Sequence, residues 1–435
     1  MAIQTDTRLR NLVIYNIFVR NFTPEGTFKA VIPELDRIKA MGVDMIWLLP
    51  MYPIGQAQRK GQDGSPYAIQ DYRAVDPNYG SMEDFLELVE AIHQRDMKIM
   101  IDIVFNHTSP DSWLAVNHPE WFYHKPDGSF GNRVGDWYDI IDLDYDHRDL
   151  WEYQIETLKF WAQYVDGFRC DVAPLVPLEF WQQARQEVET VNSDMVWLSE
   201  SVHPSFISFL RGQGLVALSD SEIYQVFDMS YEYDIRDEFE GYIQGEIPLQ
   251  DYVKVINRQE TMYPNNFIKL RNLENHDNPR IRHYIHNEDQ LKQWMVFSYS
   301  LKGAQLIYNG QEMQADHAPS LFDKDLIKWD DQLDLSHYFQ QLITFKKSHI
   351  PTDGQMQLFA QNHGDLVLIH HKNLEKEVFV GVQLKPGQGQ IHVDLEDGDY
   401  TDLLSQKLIQ VRQGMVNAEQ TPFAIETSRP KKENI

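Results

Sequence analysis

Four apolar runs in this chain each end in groups that can exchange protons or hold charge. Lys98–Val104 carries Asp102 and runs into Asn106 and His107. A run near Val165–Cys170 ends Gly167-Phe-Arg169-Cys170-Asp171. Met195–Ser199 stops at Glu200, and Phe267–Leu273 is followed by Asn275-His276-Asp277. Brought together, such carboxylates, imidazoles and a guanidinium suit acetal cleavage. A glycosidic oxygen is a poor leaving group and needs a proton, while the anomeric carbon gathers positive charge and needs a carboxylate nearby. An arginine beside one carboxylate is expected to keep it ionised while its neighbour stays protonated. Taken singly these residues say little. An Asp at a strand end is more often a helix cap, and a lone His is more often simply hydrogen-bonded. A zinc site lacks support, because neither His-x-x-x-His nor Cys-x-x-Cys occurs.

The elements that must position these groups alternate. Strand-like runs at Leu12–Val19, Val43–Leu48, Lys98–Val104, Val165–Cys170, Met195–Ser199, Tyr224–Phe227, Phe267–Leu273 and Ala304–Tyr308 are separated by helical patterns. Val31, Leu35 and Ile38 recur at helical spacing before Gly42. Ser81 and Asp84 form a capping-box pattern ahead of Phe85, Leu88, Val89 and Ile92. Trp151, Ile155 and Leu158 mark a further helix, and Leu291, Trp294 and Met295 another. Parallel strands joined by helices whose C-terminal ends carry the chemistry predict an α/β fold, a (β/α)₈ TIM barrel. Its catalytic part is expected over residues 1–107 and 145–349. A short irregular insertion after strand 3 covers 108–144 and is aromatic and turn-rich. From 350 to 435 alternating residues at Leu366–His370, Val378–Val382 and Ile391–Val393 predict a C-terminal antiparallel β domain, with a loose tail from Arg429.

Composition narrows the function classes. The formal charge of −27 disfavours nucleic acid and anionic membrane surfaces as partners. No stretch is long and apolar enough to span a bilayer, and the N-terminus lacks the pattern of a signal peptide. Cys170 is the single cysteine, so no intrachain disulfide forms. It sits beside Asp171 in a strand and is expected to point into the layer between barrel and helices. These features together predict a cytoplasmic protein. The oligomeric state is open.

The joint pattern resembles the α-amylase family of glycoside hydrolases, in order from about Leu12 to Glu312. It is carried by Gly42-Val-Asp-Met-Ile-Trp-Leu-Leu-Pro50, Asp102-x-x-x-Asn106-His107, Gly167-Phe-Arg169-x-Asp171, Glu200, His276-Asp277 and Gly303…Tyr308-Asn-Gly310-Gln-Glu312. The segment Ser65-Pro-Tyr67-Ala-Ile-Gln-Asp71-Tyr72 looks like the one in which the family places an aromatic platform. The resemblance implies Asp171 as nucleophile, Glu200 as general acid and then base, and Asp277 as the group that holds the distorted sugar. It implies that Arg169 orients Asp171, with Asp102 and Asn106 supporting. His107 and His276 would bond the sugar, and Tyr67 would stack beneath it. The substrate implied is an α-glucan oligosaccharide, cleaved at α-1,4 bonds with retention. An oligo-1,6-glucosidase or a transglycosylase of the same family is the alternative, and a non-catalytic binding or scaffold barrel is the remote one.

Three departures from the family stand out. Pro174 and Leu175 occupy positions where typical α-amylases carry Lys and His, the latter offering its carbonyl to calcium. No cofactor is therefore expected: Ca²⁺ is conceivable, but its usual site looks incomplete, and Asn106 alone cannot supply the six or more oxygens it takes. The loop Arg20–Thr27 lacks an acidic metal-binding pattern. Val172, directly after the nucleophile position, resembles relatives that prefer α-1,6 linkages.

Overall fold

The computed structural model describes residues 4–429 apart from 136, 362–364, 388 and 418–421. The tail beyond Arg429 and Asp136 of the insertion lie outside the described residues. The strands in chain order are β1 (Val13–Ile17), β2 (Met45–Leu48), β3 (Lys98–Ile103), β4 (His107–Thr108), β5 (Ile141–Asp142), β6 (Gly167–Cys170), β7 (Val196–Ser199), β8 (Met229–Tyr231), β9 (Lys269–Arg271) and β10 (Ala304–Tyr308). Eight of them close a parallel barrel in the order β1-β10-β9-β8-β7-β6-β3-β2.

Period-two alternation sorts each strand between two cores. Ile14, Met45, Trp47, Met100, Leu198, Met229, Leu270 and Leu306 fill the barrel interior. Their neighbours Val13, Tyr15, Ile46, Ile99, Ile101, Phe168 and Trp197 pack outward against the helices. Cys170 is in this outer layer and fully buried, as its place beside an inward position requires. The same parity turns Asp102 and Arg169 inward, and they are register partners on β3 and β6.

Local signals set the helices. Ser81 caps Met82–His93 with the reciprocal Ser81–Asp84 box. The helix that begins at Leu35 ends at Gly42, which takes φ +99°. One strand departs from expectation. Residues 224–227 are not the sixth strand; they complete the turn after the helix Asp220–Ile223, and the strand is Met229–Tyr231. The capping box of Ser219 and Glu222 starts that helix, and Phe227 N–H still donates to the Ile223 carbonyl. The run is apolar because Phe227 packs edge-on to Trp181 and Trp197, so tertiary burial mimics a strand signal.

The insertion leaves the rim after β3. β4 and β5 pair His107 with Asp142 and Thr108 with Ile141, which ties both ends of the excursion to one point. Beyond the barrel, β11 (Gln355–Ala360), β12 (Leu366–Lys372), β13 (Lys376–Gln383) and, later in the chain, β18 (Phe423–Ser428) form an antiparallel sheet in the order β11-β12-β13-β18. Two hairpin-like pairs complete it: β14 (Gln390–His392) with β17 (Met415–Asn417), and β15 (Gly398–Thr401) with β16 (Leu408–Val411). This sheet leans on the barrel through Trp294, whose indole N–H donates to the Leu384 carbonyl at 3.0 Å. Beside that seam Lys346, fully buried in the helix Ser336–His349, donates to the carbonyls of Leu301 at 3.0 Å and Tyr299 at 3.3 Å. No helix among the described residues is long and apolar enough to cross a membrane.

Candidate active site

Barrel closure gathers the predicted residues at the C-terminal ends of β3, β6, β7 and β9. Ladder bonds extend past the strands to fix the two central backbones: Asp171 N–H donates to the Ile103 carbonyl at 2.8 Å, and Glu200 N–H to the Cys170 carbonyl at 3.0 Å. Arg169 lies between the carboxylates. Its Nη1 donates to Asp102 Oδ1 at 2.7 Å and Asp171 Oδ1 at 2.9 Å, and its Nη2 is 2.9 Å from Glu200 Oε1. Arg169 and Asp102 have no solvent-exposed side-chain surface.

This is more crowded than one arginine beside one carboxylate. Three carboxyls share a single cation, and burial outweighs its pull at each of them. Burial pushes Asp171 up against the attraction of Arg169, with the Asp102 charge adding to the rise. Glu200 is driven well above the ordinary carboxylate range, again first by burial. Arg169 favours the ionised form of Asp171, as the motif implies, and burial works against it. Burial thus raises all three carboxyls against one cation, and they titrate as a group rather than singly.

The imidazoles take up neutral positions. Burial lowers both His107 and His276 to about 4. Asn106 Nδ2 is 3.1 Å from His107 Nδ1 and can only donate, which places the ring proton on Nε2. That nitrogen is 4.0 Å from Asp171 Oδ2. His276 Nε2 is 2.6 Å from the Tyr67 hydroxyl and 3.2 Å from Asp277 Oδ2. Tyr67 is half-buried, lies nearly parallel to His276 at 12° between ring planes, and donates to Asp102 Oδ2 at 3.4 Å. Asp277, with a side chain 38% exposed, is the open member of the group. All nine residues named from the sequence thus meet in one cluster.

Several participants have no signal in the sequence. Tyr231, at the end of the relocated sixth strand, accepts from Arg169 Nε at 3.3 Å. The Tyr233 hydroxyl accepts from Asn275 Nδ2 at 2.9 Å, and Asn275 Oδ1 accepts the Asp277 N–H at 2.9 Å. The true position of β8 makes both tyrosines strand-end groups. Val172 adopts φ +35° and ψ +41°, a left-handed conformation rare for a β-branched residue, and its N–H donates to Glu200 Oε2 at 2.8 Å.

Behind His107 a cavity of about 260 Å³ is lined by Asn106, Arg133, Asp142, Asp144, Leu175 and Pro177, among others. Asp139 of the insertion is paired with Lys60 at 2.7 Å. No group of three or more His, Cys, Asp and Glu side chains among the described residues is arranged to hold a metal ion.

Comparison with known proteins agrees with this geometry. The family described as alpha amylase, catalytic domain, matches residues 5–138 and 116–349, and the bacterial alpha amylase C-terminal domain matches 357–425. The crystal structure of an alpha-amylase from Lactobacillus plantarum is 44% identical, with 97% of this chain and all of that chain covered and a TM-score of 0.94. The noncanonic maltogenic alpha-amylase AmyB from Thermotoga neapolitana is 28% identical over 97% of this chain and 100% of its own, with a TM-score of 0.86. Among curated proteins, a maltosyltransferase of Picrophilus torridus that acts between alpha-1,4-glucan and maltose 1-phosphate is 28% identical over 284 residues, 58% of this chain and 44% of its own length. The chain spans under half the length of that relative.

Proposed function

The chain belongs to the α-amylase family of glycoside hydrolases, and we propose that it hydrolyses α-1,4-glucosidic bonds of maltodextrins with retention of configuration. The observation that carries this reading is the single guanidinium of Arg169 bridging Asp171 and Glu200. One cation within 2.9 Å of both suits the short carboxyl separation, about 5–5.5 Å, that double displacement uses.

In the proposed first step an Asp171 oxygen attacks the anomeric carbon while its bond to the leaving oxygen breaks. Glu200 gives its proton to that oxygen, and the shorter glucan departs. In the second step Glu200 takes a proton from water, the water oxygen bonds to the anomeric carbon, and Asp171 is released. His107 Nε2–H and Asp277 bind hydroxyls of the sugar in the cleavage subsite, and Tyr67 presents its ring to it. Neutral imidazoles fit this role, since they donate without adding positive charge beside an oxocarbenium-like centre. A cytoplasmic location on imported oligosaccharides belongs to the same proposal, and its support is the lone buried Cys170.

The test is product analysis on maltoheptaose, isomaltose, pullulan and sucrose, with NMR of the first-formed anomer. Maltooligosaccharides released from maltoheptaose as α-anomers are expected. Release of β-anomers would overturn the mechanism. Turnover confined to maltose 1-phosphate as donor would make transfer the function instead.

A further inference from the structure

We propose that Lys60 clasps three rim loops together across the end of the cleft that holds the retained sugar, and so confines the enzyme to the non-reducing ends of its glucan. The ammonium of Lys60 is 2.7 Å from Asp139 Oδ1 of the insertion. It lies 4.7 Å from the ring centre of Tyr138, also of the insertion, and 5.9 Å from that of Phe322, in the loop after β10. Lys60 itself belongs to the loop after β2. An ion pair whose acid is 3% exposed, flanked by two rings, is a firmer tie than an open surface pair.

The loops are joined by backbone as well. Asp63 N–H and Gly64 N–H both donate to the Phe322 carbonyl, at 2.9 and 3.0 Å, and Lys324 N–H donates to Asp63 Oδ2 at 2.8 Å. Gly61 takes φ +65°, and a Cβ there would meet the Phe322 carbonyl oxygen at 2.6 Å, so the two loops touch without room for a side chain. On the other flank the N–H groups of Gln56 and Ala57 donate to Asp111 Oδ2, at 2.8 and 3.2 Å. The rim is thus continuous from the loop after β10, through the loop after β2, to the insertion.

Barrel order places this closed arc. In the ring β1-β10-β9-β8-β7-β6-β3-β2, β1 stands opposite β7, and β10 and β2 flank it. Glu200 at the end of β7 meets the leaving oxygen, so the departing glucan lies on that side and the retained one extends toward β1. The clasp stands there, close behind the retained sugar. Gly64 precedes Tyr67 in the same loop, and Trp137, next to Tyr138, has its ring 6.1 Å from that of His107. Burial lowers His107, Asp142 and Asp139 oppose that, and Lys60 adds to it, which puts the Lys60–Asp139 pair within electrostatic reach of the imidazole. A glucan that continues far beyond the cleavage point would have to pass through the joined loops, whereas a chain end needs no passage. Lys60 is a specificity residue in this scheme, which rests on the proposed function.

The experiment compares p-nitrophenyl α-maltoheptaoside with the same glycoside capped by a benzylidene group on O4 and O6 of its non-reducing glucose. Wild type, Lys60→Arg and Lys60→Ala are assayed on both, with products resolved by mass spectrometry. The wild type is expected to show a kcat/KM at least about a hundredfold lower on the capped glycoside, since a bulky cap has no place in a closed subsite. Lys60→Ala should narrow that ratio at least about tenfold and release longer sugars, whereas Lys60→Arg, which keeps a cation for Asp139, should retain it. Asp139→Asn keeps the volume of the acid without its charge and should narrow the ratio too, which covers the case of a Lys60→Ala chain that does not fold. A purely structural lysine would change both substrates alike and leave the ratio fixed, and that result would overturn the proposal. So would a wild type that cleaves both glycosides at comparable rates. A wild type inert toward both would instead refute the hydrolysis proposed above, and the clasp's role with it.

Discussion

The N–H of Val172 donates to Glu200 Oε2 at 2.8 Å from a left-handed backbone that the residue type disfavours by about 1–2 kcal/mol. A non-glycine residue held in this way at a reactive group indicates a backbone set by function. Val172→Gly retains the N–H and suits the conformation, so turnover within about threefold of wild type and an unchanged or higher melting temperature are expected. Val172→Pro fixes φ near −65° and removes the donor. Its kcat should fall by at least about a hundredfold, because Glu200 loses the hydrogen bond that orients it. Normal turnover in the Pro variant, measured on a chromogenic maltooside, would sink this role.

Asp171→Asn and Glu200→Gln each remove a group used in bond making while leaving its volume. Each is expected to lower kcat by at least about a thousandfold with a native circular dichroism spectrum. Because Glu200 acts in both steps, activated substrates with good leaving groups should accumulate the glycosyl-enzyme in the Gln variant, visible by intact mass spectrometry. A well-folded variant of either residue that keeps wild-type turnover contradicts the assignment.

The crowding around Arg169 has a pH consequence. Activity needs Asp171 ionised and Glu200 protonated, and burial moves both carboxyls upward. The acidic limb of kcat/KM should therefore lie above the ordinary carboxylate range, near 4, and Arg169→Met should move it higher still. Linkage runs in the same direction. Asp171 holds its proton more tightly folded than unfolded, so its contribution to stability is present at low pH and is lost as pH rises through the folded value. The melting temperature of Asp171→Asn relative to wild type should accordingly climb from pH 4 to pH 8. A difference that stays flat across that range would remove the raised carboxyl from the argument.

Lys346 titrates with the opposite sense. Burial lowers its ammonium from 10.5 to about 7, with the nearby Arg271 charge adding to the fall. Between those values the unfolded chain binds the proton and the folded chain does not, so the contribution of Lys346 to stability grows as pH rises. Lys346→Met fills the same space without a buried amine. It should melt a few degrees above wild type near pH 6, and the gap should narrow by pH 9.5. A variant that melts below wild type at pH 6 would mean that the bonds to Tyr299 and Leu301 outweigh the desolvation of the charge.

Residues whose place follows from strand parity and local motif are legible in the amino-acid sequence. Asp102, Arg169 and Asp171 lie on runs of period two, so their inward direction can be read directly, as can the capping box at Ser81. What cannot be read depends on contacts between distant segments. Phe227 packs on Trp181 and Trp197, which hides the true position of β8 and with it Tyr231 and Tyr233. The left-handed turn at Val172 has no glycine to announce it. Lys60 is one of many surface-type lysines in sequence, and only the return of the insertion brings Tyr138 and Asp139 to it. Proximity of an arginine to several carboxylates is visible in the motifs, but the depth of burial that raises Asp171 is not.

The pairing of β1 with β10, Val13 against Gln305 through Asn16 against Tyr308, sets a timetable for the ribosome. These partners lie far apart along the chain. At about 5–20 residues per second the first barrel strand emerges roughly 15–60 s before the strand that must seal against it. Throughout that interval one edge of a strand buried on both faces in the finished protein stands open. The newborn chain is thus most exposed to mispairing late in its own translation, and it can gain no activity until the last barrel strand has arrived.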